Sequence, residues 1–132
     1  MMNILGLDYG EKRVGVALAQ TPIAEPVGII NNDARLIEEI KKLVQQYQIG
    51  LLVVGVSENV MAQKSREWGQ RLKDAGFKVE FQDETLSSHE ASENLRHKTR
   101  SFRSKPQDAY QAAVMLQDWL DSKNNLLAGS DP

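Results

Sequence analysis

The sequence predicts an α/β domain in which a mixed sheet carries helices on both faces, in the element order β-β-β-α-β-α-β-α-α. Three strand-like segments open the chain, and the first two are joined by a turn short enough for an antiparallel hairpin. Strand and helix patterns then alternate, as they do where helices connect parallel strands. A length of 132 residues, with 41% hydrophobic and 26% charged residues, fits one such domain with a sizeable core.

The hairpin and its neighbours occupy the first half of the chain. The segments "NILGLDY" and "RVGVALA" flank the turn "GEK", and "VGIIN" after Pro26 predicts a third strand. Asn31–Asp33 then offer N-cap side chains to a helix, whose apolar residues recur at helical spacing over Leu36–Tyr47. The segment "GLLVVGV", Gly50–Val56, is apolar throughout and predicts a strand covered on both faces.

Helix and strand patterns continue to alternate after the central strand. Met61–Ala75 has helical spacing, and Gly76 is placed to cap its C-terminus. The alternating "FKVEF" of Phe77–Phe81 predicts the fifth strand.

Two further helices complete the predicted order. Ser87 or Ser88 can cap one that runs to about Arg96, and Pro106 opens a last one that ends near Asp121. We expect residues 1–122 to form the domain and residues 123–132 a flexible C-terminal tail.

Composition excludes several classes of protein. The chain has no cysteine, which excludes disulfides, thiolate metal sites and thiol nucleophiles. No apolar run is long enough to span a bilayer, and the amino-terminal "MMNILGLDYG" lacks the features of a secretory signal. We therefore expect a cytoplasmic protein that does not bind membranes, and leave open whether it is a monomer or a homodimer.

A basic segment stands out against the net charge of −2. The stretch "NLRHKTRSFRSKPQ" contains no acid, and its cations are Arg96, Lys98, Arg100, Arg103 and Lys105. Such a local field can bind a polyanion on a mildly acidic protein, and Phe102 could stack on an unpaired base. Taken alone, the segment is better explained as a solvated loop, and its position before the helix that carries Asp108 is what favours phosphate binding.

Three acids lie at the ends of predicted elements. Asp8 ends the first strand within an apolar run, Glu84 follows the fifth strand, and Asp108 lies in the first turn of the last helix. Separately they can be read as a turn residue, a solvated charge and a favourable charge at a helix N-terminus.

The three acids gain weight together, because ligands gather at the carboxyl ends of parallel strands. Carboxylates that converge there repel one another unless a hard cation lies between them. Oxygen ligands suit Mg²⁺ or Mn²⁺, and such a centre can activate water against a phosphodiester.

Four segments in this order and spacing resemble the YqgF family, also called RuvX. They are "LGLDYGEKRVGVALA", "LLVVGV", "DETLSSHEA" and "KPQDAYQAAVML". Its members are described as Holliday junction resolvases and as nucleases of pre-16S rRNA. The resemblance implies a ribonuclease H-like fold and a metal-dependent nuclease that processes the 5′ end of pre-16S rRNA. It places the family's acidic trio on Asp8, Glu84 and Asp108, and its basic turn residue on Lys12 or Arg13.

The chain departs from the family pattern in two places. Its segment "GVSENVMAQKS" has Ser57 where the family usually has proline and Ala62 where it usually has glycine. Thr85 replaces a common arginine. No metal ligand is lost, but we expect these changes to affect the shape of the Ser57–Ala62 loop, its phosphate contacts and so the substrate preference.

Four functions are compatible with these observations. The first is hydrolysis of structured RNA, with the basic segment as the backbone clamp, and the second is resolution of branched DNA by the same trio. A third comes from the hairpin "GLDYGEKRVGVAL", which looks like the phosphate-binding hairpin of actin-like ATPases, although those proteins need two such domains. The fourth is a non-catalytic module that binds RNA or the ribosome.

Overall fold

The computed structural model describes residues 2–56, 61–83 and 107–130. The strands are β1 Asn3–Tyr9, β2 Arg13–Ala19, β3 Glu25–Asn31, β4 Ile49–Val56 and β5 Val79–Asp83. The helices of the described part are α1 Leu36–Gln46, α2 Met61–Asp74 and α3 Gln107–Ser130. The predicted helix after Ser87 or Ser88 lies outside the described residues.

The five strands form one mixed sheet in the order β3-β2-β1-β4-β5. The β1–β2 and β2–β3 pairs are antiparallel, whereas β4 lies parallel to both β1 and β5. The predicted hairpin and mixed sheet are therefore confirmed. Because β1 and β4 are central and β1, β4 and β5 run the same way, the carboxyl ends of these three strands meet at one edge of the sheet.

Helices cover both faces of the sheet, as predicted. One core cluster joins α3 to the sheet through Ile4, Ala17 and Val53, and the other joins α1 and α2 to it through Leu5, Val16 and Val54. Side chains alternate between the faces along each strand. Even-numbered residues of β1, such as Ile4, therefore face α3. So do odd-numbered residues of β2 and β4, such as Ala17 and Val53.

Helix α3 approaches the sheet closely at Gly6 of β1. A Cβ atom at that position would lie 2.9 Å from the Cβ of Leu116. Every residue of α3 from Ala112 to Leu120 is buried, as expected for a helix that is covered on all sides. No helix in the described part of the chain is long and apolar enough to cross a membrane.

Several boundaries differ from the prediction by one or more residues. Strand β3 begins at Glu25. Helix α1 begins at Leu36 after Arg35, which has no side-chain acceptor to cap it, and Asp33 Oδ1 accepts the Arg35 N–H at 2.9 Å. Strand β5 runs over Val79–Asp83, two residues later than predicted.

Helix α3 extends to Ser130, so the end predicted near Asp121 was wrong. Extending a helix costs much less than nucleating one, so the weak helix formers Asn124 and Asn125 do not stop it. Most of the expected tail, residues 123–132, therefore has helical backbone; its flexibility stays a prediction.

Candidate active site

Asp8 lies at the edge where the carboxyl ends of the parallel strands meet. It is the next-to-last residue of β1 and is half-buried. Like Ile4 and Gly6, it is an even-numbered residue of β1, so its side chain lies on the face that α3 covers. The sequence prediction for this residue is confirmed as to its strand and its end of the sheet.

Two glycines flank Asp8 on the neighbouring strands. The register pairs Asp8 with Gly15 of β2 and with Gly55 of β4. Both glycines lie on the face of the sheet that α3 covers. Neither carries a side chain, so the carboxylate has no cross-strand side chain directly beside it. A group next to the Asp8 oxygens on this face would therefore have to come from outside these two strand positions.

The turn of the hairpin forms a small cavity with Asp8. The cavity holds about 190 Å³ and is lined by Asp8, Gly10, Glu11, Lys12 and Arg13. A half-buried carboxylate and two cations therefore open onto the same space. Lys12 and Arg13 are both exposed, as nucleic-acid contacts need to be.

Arg13 lies on β2, the strand that pairs with the strand of Asp8. Like Gly15 and Ala17, it is an odd-numbered residue of β2, so its side chain lies on the same face of the sheet as that of Asp8. Since Gly15 is opposite Asp8, Arg13 is a diagonal neighbour, within reach of a long side chain. A cation on the neighbouring strand is thus within reach of the half-buried Asp8 carboxylate.

Helix α2 supports the turn from the other side of the sheet. Lys64 Nζ lies 3.8 Å from Glu11 Oε1, and the ring of Tyr9 stacks on that of Trp68 with a centroid distance of 4.7 Å. The ion pair is exposed and contributes little stability, whereas the aromatic pair joins the core. The Tyr9–Trp68 contact therefore does more to hold the end of β1.

The end of β5 is joined to α3 by a buried acid. Gln82, which pairs with Gly55, donates from Nε2 to Asp118 Oδ2 at 3.3 Å, and Asp118 is 8% exposed. Glu80 lies two residues before Gln82 on the same face of β5, and its Oε1 is 3.4 Å from Lys123 Nζ. These contacts fix α3 against the strand that precedes Glu84. Asp118 was not among the predicted residues.

The structure does not test the convergence of the acidic trio. Glu84 follows β5 directly but lies outside the described residues, and Asp108 has its backbone in the first turn of α3 while its side chain lies outside them. Among the side chains that are described, no three of the types His, Cys, Asp and Glu are grouped to hold a metal ion. The convergence of the trio stays a prediction.

The basic segment, the Ser57–Val60 part of the altered loop and Thr85 also lie outside the described residues. In the basic segment this applies to Arg96, Lys98, Arg100, Phe102, Arg103 and Lys105.

Comparison with known proteins assigns the chain to a family. The sequence profile of the RuvX family, described as Holliday junction resolvase, matches residues 2–122. The chain belongs to the RuvX family. A protein of Anaeromyxobacter sp. (strain Fw109-5), named "Putative pre-16S rRNA nuclease", is 35% identical over 137 aligned residues, covering 93% of this chain and 99% of the relative. A protein of the same name from Thermoanaerobacter pseudethanolicus is 31% identical over 138 aligned residues, covering 94% and 99%.

Solved structures support the predicted fold class. The chain matches T. thermophilus RuvC in complex with a Holliday junction substrate with a TM-score of 0.58 and 11% identity, covering 89% of this chain and 92% of RuvC. It matches the fowlpox virus Holliday junction resolvase with a TM-score of 0.59 and 14% identity, covering 92% and 99%. The ribonuclease H-like fold is thus confirmed. Membership in RuvX identifies the chain as a hydrolase of phosphodiester bonds.

Proposed function

We propose that this RuvX protein is a metal-dependent nuclease that hydrolyses phosphodiester bonds in structured RNA and processes the 5′ end of pre-16S rRNA. One observation carries the proposal. Asp8 opens onto the same cavity as Lys12 and Arg13, at the carboxyl edge of the parallel strands. The names of the relatives support RNA as the substrate.

Asp8 is suited to ligate a hard divalent cation. It offers carboxylate oxygens, which Mg²⁺ and Mn²⁺ prefer, and its cross-strand neighbours Gly15 and Gly55 add no side chain beside it. We propose Asp8, Glu84 and Asp108 as the residues that hold the metal. When bound, such an ion lowers the pKa of a coordinated water and offsets the charge of the scissile phosphate.

Two features support the proposed roles of Glu84 and Asp108. Glu84 directly follows β5, in which Glu80 and Gln82 both face α3. The second residue of α3 is Asp108, and the helix that carries it is held against the end of β5 by the Gln82–Asp118 hydrogen bond.

The cations of the chain would orient the substrate. We propose that Lys12 and Arg13 bind the phosphate next to Asp8, where a guanidinium can donate two parallel hydrogen bonds to phosphate oxygens. Further along, the nucleic-acid backbone would be bound by the cations of the basic segment, Arg96, Lys98, Arg100, Arg103 and Lys105, with Phe102 stacking on an unpaired base.

We further propose that the protein acts in the cytoplasm, since its lack of cysteine suits a reducing compartment.

Cleavage assays test this proposal. Purified protein should cleave a precursor 16S rRNA fragment with Mg²⁺ or Mn²⁺ and not with EDTA. Asp8→Asn keeps the size of the side chain but removes its charge, so cleavage should fall at least about 100-fold while the melting temperature stays within a few degrees. Wild-type turnover in Asp8→Asn would remove Asp8 from the site.

A second candidate is resolution of branched DNA, which is favoured by the description of the family. The same acids would act on a four-way junction. Side-by-side cleavage of junction DNA and precursor rRNA distinguishes the two substrates.

A further inference from the structure

Asn32, which lies between β3 and α1, binds all three residues of the hairpin turn. Its Nδ2 donates to the carbonyl oxygen of Gly10 at 2.8 Å and to that of Glu11 at 3.2 Å. Its backbone N–H donates to the carbonyl oxygen of Lys12 at 2.9 Å. One half-buried residue, distant in sequence, thus satisfies three consecutive turn carbonyls.

These contacts require a donor at position 32. The Asn32 side chain donates to two backbone carbonyl oxygens of the turn, and its amide NH₂ supplies both donors from one nitrogen atom. A carboxylate of the same shape accepts only and would repel both carbonyls. The turn is also tight, because a Cβ atom at Gly10 would lie 2.5 Å from the carbonyl oxygen of Arg13. The amide of Asn32 therefore selects one conformation of the turn by its chemistry rather than by its volume.

We propose that Asn32 is a positioning residue for substrate binding, acting through Lys12 and Arg13. This inference rests on the proposed function, in which these two cations bind the phosphate beside Asp8. Asn32 is not among the residues that line the Asp8 cavity, so its effect passes through the turn. A turn that is held in place before binding loses less conformational freedom when the phosphate docks, which strengthens binding.

Steady-state kinetics of Asn32→Ala and Asn32→Asp test the proposal, with a structured precursor rRNA fragment and a four-way DNA junction as probes. Asn32→Ala should raise KM about tenfold with a much smaller change in kcat, as the loss of two hydrogen bonds predicts. Asn32→Asp should raise KM at least as much. A role in packing alone predicts wild-type behaviour for Asn32→Asp, because the two side chains have the same size. The control Gln46→Ala removes an exposed amide at the end of α1 and should change KM less than about twofold.

A double-mutant cycle shows whether the effect passes through the cations. In a Lys12→Ala, Arg13→Ala background, Asn32→Ala should raise KM less than about twofold, because nothing remains for it to position. A tenfold rise in that background, or a wild-type KM in both single Asn32 variants, would overturn the proposal. So would a fall in kcat at unchanged KM.

Relaxation measurements separate this inference from the proposed function. Backbone ¹⁵N order parameters of Gly10, Glu11 and Lys12 should fall in Asn32→Ala and Asn32→Asp and stay unchanged in Gln46→Ala. If the wild-type protein cleaves neither probe, the proposed function fails, and unchanged order parameters would separately refute the role of Asn32 in the turn.

Discussion

Gly6 sets the distance between α3 and β1, and adding one methyl group there tests the packing beneath the site. An ideal Cβ at Gly6 would lie 2.9 Å from Cβ, 3.1 Å from Cδ2 and 3.4 Å from Cγ of Leu116. The nearest of these atoms is fixed to the helix backbone, so a new rotamer of Leu116 cannot relieve the contact. The helix itself must shift, and overpacking of this kind costs about 1–3 kcal/mol.

We expect Gly6→Ala to lower the free energy of unfolding by about 2 kcal/mol and the melting temperature by roughly 6–10 °C. Leu116→Ala in the same chain should not restore stability, because alanine keeps the Cβ. The matched control is Gly28→Ala in β3, where a Cβ would meet no atom within 4 Å. That variant should be unchanged or gain about 0.5 kcal/mol from reduced freedom of the unfolded chain. Equal stability of the two variants in urea denaturation would refute the close packing of α3 on Gly6.

Two further substitutions test other parts of the fold. Gln117 is 3% exposed, accepts the Ala24 N–H at 2.9 Å and donates to the carbonyl oxygen of Pro22 at 3.1 Å. Gln117→Ala leaves the buried Ala24 N–H unpaired and should cost about 2–3 kcal/mol in urea denaturation, so a loss below about 0.5 kcal/mol would contradict these contacts. Gly76 has φ of 101° with no atom near its Cβ position, so Gly76→Ala should cost about 1 kcal/mol from backbone strain alone; an unchanged melting temperature would show that the residue does not need this conformation.

Local patterns in the sequence predict the hairpin well and the fifth strand less well. The bounds of β1 and β2 match the prediction, because the short turn between them fixes where each strand ends. Strand β5 begins later than its alternating pattern does, since Phe77 takes part in the C-terminal cap of α2. Its N–H donates to the carbonyl oxygen of Leu72 at 3.1 Å, beside the Gly76 cap that the sequence does predict.

The sequence predicts a site residue where the residues next to it in the chain already reveal it. An acid within a buried strand is costly, and this singles out Asp8 from its neighbours alone. The glycines beside it are visible in "RVGVALA" and "GLLVVGV", and a glycine inside a strand often marks the close approach of another group. Their alignment with Asp8 depends on the register of three strands, which is not local. Asn32 shows the same limit, because its sequence context predicts a helix cap while its partners lie more than 20 residues earlier.

The central claim is that folding brings Asp8, Glu84 and Asp108 around a divalent ion that also binds the nucleic-acid backbone. A crystal structure of the wild-type protein soaked in Mn²⁺, with anomalous diffraction data, tests it most directly. We expect an anomalous peak at about 2.1 Å from a carboxylate oxygen of Asp8, with oxygens of Glu84 and Asp108 around the same ion or a second one about 4 Å away, and no peak there in Asp8→Asn crystals. Ordered density with the three carboxylates too far apart to share an ion or a pair of ions would contradict it.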